Sequence, residues 1–155
     1  MTDVALHWDA VAGAADILLV DGAIDTDAGL RTAILISLFT DACAAADDVL
    51  PQPGGDRRGW WGDALAEGSD VTGSLLWLLA REKITPRVLT RAREYAEKAL
   101  AWLIADKVAS KVTVTAEALR PGTLALRIEI VRPSGPARQR FDYVWDAEAG
   151  WRMTA

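Results

Sequence analysis

The sequence predicts one α+β domain over residues 1–155: an N-terminal β-hairpin, about three helices and a C-terminal three-stranded antiparallel meander. Apolar residues recur at helical spacing in the middle of the chain, then polar and apolar residues alternate between residues 111 and 145. Pro121-Gly122 and Pro133-Ser134-Gly135-Pro136 separate the alternating stretches. Strands, then helices, then strands is the order of an α+β domain. A length of 155 residues, 51% of them apolar, suits one domain with a core of its own.

Two β-prone pieces open the chain, Val4-Ala5-Leu6-His7-Trp8 and Asp16-Ile17-Leu18-Leu19-Val20-Asp21, joined by Ala-Gly-Ala-Ala. A first helix is expected from Thr26 or Asp27, whose side chains can cap free N–H groups, to Thr40 or on through the alanines to Asp47. Leu30, Ala33, Ile34 and Leu38 mark its buried face. A short helix is expected over residues 74–82. The longest should start at Pro86, capped by Thr85, and run to about Lys107. Its apolar stripe is Val88, Leu89, Ala92, Tyr95, Ala96, Ala99 and Leu103. In the meander, Leu124, Leu126, Ile128 and Ile130 share one face opposite Arg127 and Glu129, and Phe141, Tyr143 and Trp145 share another.

The formal net charge is −5, which argues against nucleic-acid binding. Charge is unevenly spread. Residues 1–56 hold ten Asp and one Arg; residues 107–140 hold seven Lys and Arg against Glu117 and Glu129. Either the two ends attract each other within the fold, or the basic sheet, with Arg127, Arg138 and Arg140, meets an acidic protein partner. The single cysteine, Cys43, cannot form an internal disulfide and reads as a small buried apolar residue. No apolar run approaches the roughly 20 residues of a membrane span, and none looks like a signal peptide.

The residues offer little to catalysis. His7 is the only histidine and sits in a strand; with one distant cysteine it builds no zinc site. Asp25, Asp27, Asp47 and Asp48 are paired carboxylates of the kind that suits a hard cation, but they lack EF-hand spacing, and capping accounts for Asp27. Glu67, Asp70 and Glu82 lie near tryptophans and are the only candidates for a sugar-cleaving pair. The residues therefore call for no catalytic residue, no cofactor and no metal.

The most unusual stretch is Gly55-Asp56-Arg57-Arg58-Gly59-Trp60-Trp61-Gly62-Asp63. Arginines among aspartates and tryptophans suit an ordered loop held by ion pairs and stacking. Two adjacent tryptophans must be buried or bound to something. Asp56, Arg57, Arg58, Trp60, Trp61 and Asp63 are thus the candidate partner-binding residues, with Arg127, Arg138 and Arg140 on the sheet. Trp77 and Trp102 read as core.

Asp56 to Asp63, together with Ser37-Leu38-Phe39-Thr40-Asp41, Asp47-Asp48-Val49-Leu50-Pro51 and residues 74–83, 96–104, 128–133 and 141–145, resembles the Mu-like phage baseplate wedge family over nearly the whole chain. The pattern is more distantly similar to the wedge protein of larger contractile phages and its type VI secretion counterpart. Gly55-Asp56-Arg57 looks like the Gly-Glu-Arg-type loop of those relatives. Their Glu-Pro-Arg motif is replaced here by Ala105-Asp106-Lys107-Val108.

The resemblance implies a structural part of a contractile tail baseplate, in an active phage, a prophage or a tail-like bacteriocin. Such a protein assembles in the host cytoplasm and ends in the virion. It docks on other wedge and hub proteins and templates the tail sheath protein by strand addition, without nucleic acid or membrane. Some relatives carry a lysozyme label that no residue here justifies; the alternative, a peptidoglycan-cleaving tail hydrolase, rests only on the carboxylates that lie near tryptophans.

Overall fold

Alternating side chains and turn residues produce strands at both ends of the chain, and helices fill the middle. The computed structural model describes residues 3–9, 14–27, 29–65, 71–133, 137–146 and 150–153. At the N-terminus, β1 (Asp3–Val4) pairs with β6 (Thr26–Asp27), β2 (Leu6–Asp9) with β3 (Ala14–Ile17), and β4 (Leu19–Val20) with β5 (Ala23–Ile24), all antiparallel. The expected hairpin is therefore present as β2–β3. A second small hairpin, β4–β5, is stacked beyond it, and the Asp25 backbone joins the ladders by accepting from Ala5 and donating to Leu18.

The first helix, α1 (Arg31–Phe39), starts later than its sequence predicts, because Thr26 and Asp27 are held as a strand against Asp3 and Val4. Asp27 still serves the helix: its carboxylate accepts from the backbone N–H of Gly29 at 2.7 Å and of Thr32 at 3.2 Å. The helix also stops at Phe39 and does not continue to Asp47. Beyond it Ser74 takes over the backbone. Ser74 donates its N–H to Thr40, accepts from the Ala42 N–H, and gives its hydroxyl to the Leu38 carbonyl at 2.5 Å.

The short helix expected over residues 74–82 is a 3₁₀ turn confined to Leu76–Leu79, with all four residues buried. The long helix is α2 (Pro86–Ala99), capped by Thr85 as expected, with Pro86 in its first turn. It does not reach Lys107. The i→i+3 bonds Leu103 to Leu100 and Ile104 to Ala101 tighten the chain, and a one-turn α3 (Trp102–Ala105) follows. The tightening accompanies full burial of Leu100 and Leu103 and a bond from Trp102 Nε1 to Ser37 Oγ on α1 at 3.0 Å.

The meander is β7 (Lys111–Arg120), β8 (Thr123–Val131) and β9 (Arg138–Asp146), with Gly122 at φ 78° in the first turn. The expected three-stranded meander is present, and a short β10 (Gly150–Met153) extends it beside β9, giving the order β10-β9-β8-β7. Its four residues are too few for alternation to announce a strand. The second expected turn falls at residues 134–136, outside the described residues.

The sheet face with Val114, Leu124, Leu126, Ile128, Ile130 and Tyr143 packs with Ile34, Leu38, Ala92, Ala96, Leu100 and Leu103 from the helices. The result is two layers, helices over one face of an antiparallel sheet, with the other face polar. Phe39 meets Tyr143 edge-on at 4.9 Å between ring centroids. Among the described residues, no helix is long and apolar enough to cross a membrane.

Candidate functional site: a tryptophan loop on an arginine-stitched platform

The chain leaves α1 and runs as an extended track through residues 41–46, which the candidate loop then clasps. The Arg57 guanidinium donates to the Ala46 carbonyl at 2.9 Å and also to the Ala45 carbonyl, while the Arg57 carbonyl accepts from the Ala44 N–H. Arg58 donates to the Asp41 carboxylate at 2.7 Å and lies 4.5 Å from the centre of the Trp77 ring. Trp77 is buried, and its Nε1 donates to the Ala42 carbonyl at 2.9 Å. Two arginines thus satisfy backbone carbonyls and a carboxylate that no helix or strand serves.

The loop's tight path depends on its small residues. Arg58 has φ 55° and Gly59 φ 106°. A Cβ on Gly59 would stand 2.8 Å from Cys43 Cβ, so only glycine lets the loop close on the track. Asp56 accepts from the Arg58 N–H at 3.0 Å, and Asp63 accepts from the Thr72 N–H at 3.1 Å. An ordered loop held by ion pairing and stacking is what the residue types suggested, but the aspartate that pairs with Arg58 is the distant Asp41, not Asp56 or Asp63.

This platform displays the two tryptophans. Trp60 is 46% exposed and Trp61 74% exposed, with ring centroids 5.7 Å apart. Trp61 opens a 3₁₀ turn, Trp61–Leu65. Val49 and Leu65 are also exposed apolar residues of this part of the chain. Cys43, expected to be buried, is exposed instead, because residue 43 lies on the extended track and not on a helix. An open groove of about 700 Å³ borders the track and is lined by Cys43, Val71, Thr72, Tyr95, Trp102 and others.

The sheet residues behave differently. Arg127 donates to one oxygen of Asp142 at 3.0 Å and Arg140 to the other at 2.7 Å. Burial alone would raise the Asp142 carboxyl, but these two hydrogen bonds outweigh it and hold the group below the usual carboxylate range. Glu129 stands opposite Arg140 in register. Two of the bases counted toward an electropositive sheet are therefore engaged within it, and the face is mixed in sign. Arg138 is exposed at the start of β9.

The family described as Phage protein GP46 matches residues 30–137, a stretch that contains the whole tryptophan loop. The chain belongs to that family. It is 47% identical over 135 residues to the Baseplate protein gp46 of Escherichia phage Mu, covering 87% of this chain and 90% of that protein. It is 40% identical over 140 residues to the Mu-like prophage FluMu protein gp46 of Haemophilus influenzae, covering 90% and 94%. The resemblance to Mu-like phage proteins read from the sequence holds.

Besides Asp27, three of the carboxylates considered for other chemistry have structural partners. Glu82 pairs with Arg91 at 2.5 Å, Asp25 with His7 at 2.7 Å, and Asp48 accepts from the Ala45 N–H at 2.8 Å. Glu67 and Asp70 lie outside the described residues. The sequence reading missed the exposure of Ile17, Leu18, Leu19, Val20 and Ile24. The signal was there: four consecutive apolar residues, Ile17 to Val20, spread over the end of β3 and all of β4, leave neither face polar.

Proposed function

We propose that this chain is a structural, non-enzymatic part of the baseplate of a Mu-like contractile tail, docked on larger wedge and hub proteins through its tryptophan loop. One observation carries the reading. Trp60 and Trp61 are displayed to solvent by a loop whose glycines and arginines bind it to the rest of the fold. Wet tryptophans on a preorganised support are the usual anchors of a protein interface. The name of the phage Mu relative, Baseplate protein gp46, supplies the assembly.

The same reading assigns the sheath contact to the sheet. β7 is an edge strand of ten residues, and β10 pairs only with residues 143–146 of β9. Either edge suits strand addition by a sheath segment. Location follows: host cytoplasm during assembly, then the tail baseplate of the virion. No nucleic acid, membrane, metal or cofactor is required.

The test is purification of tails from a producing strain that carries a tagged copy. The protein should be present in a fixed ratio to the sheath and other baseplate proteins, and deleting its gene should leave sheath unassembled on the baseplate. Normal tails that lack the protein would sink the proposal. Cell-wall clearing by the purified chain, lost on replacing one carboxylate, would do the same in favour of a hydrolase.

A further inference from the structure

The N-terminal arm carries apolar surface that neither the core nor the tryptophan loop accounts for. Its root is well held. Ala5 is buried, Leu6 packs against the core, and Thr32 Oγ1 accepts from the Leu6 N–H at 3.1 Å and donates to the Val4 carbonyl at 2.9 Å. Beyond the root the character changes. Ile17, Leu18, Leu19, Val20 and Ile24 are 48%, 47%, 70%, 52% and 52% exposed.

Leu19 pairs with Ile24, and Val20 with Ala23. Successive strand residues face opposite sides, so both faces of this hairpin are apolar and wet. Scattered exposed apolar residues are ordinary; a contiguous group on a two-stranded hairpin, itself marginal alone in water, marks a place that another molecule covers. Exposure on both faces fits insertion into a cleft better than apposition to a flat surface.

Charge selects the occupant. Residues 3–27 contain six aspartates and no lysine or arginine. Asp16 and Asp21 are exposed, and Asp21 forms the hairpin tip with Gly22, at φ 51° and 79°. Two such arms laid together would place like charges side by side. The basic sheet of a second copy is a poor receiver too, because Arg127 and Arg140 already share Asp142. An anionic lipid surface would repel the arm.

We propose that residues 17–24 insert into an apolar cleft with a Lys/Arg-lined rim on a different protein of the tail. This rests on the baseplate reading above but concerns a surface outside the family-matched stretch, which begins at residue 30.

The experiment is photo-cross-linking in assembled tails. The full chain with Leu19→p-benzoylphenylalanine is supplied during assembly, tails are purified and irradiated, and adducts are mapped by mass spectrometry. The expected adduct joins residue 19 to an apolar segment of another tail protein with lysines or arginines beside it. In parallel, a Leu19→Ser, Ile24→Ser variant should unfold at the wild-type denaturant midpoint yet enter tails about tenfold less well or worse, the loss expected from one buried anchor. Four results overturn the proposal: an adduct within the same chain, an adduct to a second copy, no adduct although the protein is in the tails, or normal incorporation of the double variant. Absence of the unmodified protein from normal tails overturns the baseplate reading and this inference together.

Discussion

Trp61→Ala removes an indole that is 74% exposed in the free protein. A tryptophan presents roughly 200 Å² that burial can cover. The quarter of Trp61 already covered is about 50 Å², so its loss should cost folding about 1 kcal/mol at about 25 cal/mol per Å². The remaining roughly 150 Å² is available to a partner, with a ceiling near 4 kcal/mol on the same scale. Interfaces seldom realise the ceiling, and an anchor of about 2 kcal/mol weakens binding roughly 30-fold.

The variant should therefore lie within about 1 kcal/mol of wild type in urea unfolding, yet compete poorly with wild type for incorporation when both are expressed during tail assembly. The ratio of the two proteins in purified tails, by mass spectrometry, reads the effect. Incorporation in equal ratio would remove Trp61 from the docking surface. Destabilisation beyond about 3 kcal/mol would place its ring in a core and refute the exposure argument, since that is the range for truncating a buried aromatic.

Gly59→Ala should destabilise by about 3 kcal/mol in denaturant unfolding, combining the cost of φ 106° with the 2.8 Å approach to Cys43 Cβ; Gly54→Ala, at φ 71° with nothing within 4 Å, should cost only about 1 kcal/mol. Asp142→Asn should lower stability at pH 7 by about 1 kcal/mol or less, because the carboxylate is one-third exposed and solvent screens its two arginines. The folded carboxyl is depressed, so its contribution is present above about pH 4 and lost as pH falls through the folded value; the difference between wild type and variant in pH-dependent unfolding should shrink on the acid side. Tyr143→Phe should raise the free energy of unfolding by about 1 kcal/mol, because the buried phenol oxygen finds no hydrogen-bond partner among the described residues and burial pushes its pKa up; a loss of stability would mean the hydroxyl is satisfied.

What the sequence determined by itself was local. Period-two alternation in residues 111–145 dictated which side chains of β7, β8 and β9 face the helices, and Thr85-Pro86 dictated where α2 begins. Asp56 to Asp63 stood out by composition and proved to be a closed, cross-linked loop. Only the tertiary structure decided matters that depend on distant partners. Thr26 and Asp27 are strand and not helix because Asp3 and Val4 lie beside them. Cys43 is exposed because Ser74 and Arg57 draw residues 42–46 into an extended track. Trp77 is buried while Trp60 and Trp61 are wet, although all three are the same residue type. Periodicity reports the face a side chain takes on its own element; whether that face meets another element, solvent or a second protein depends on contacts between residues tens of positions apart, which no local pattern encodes.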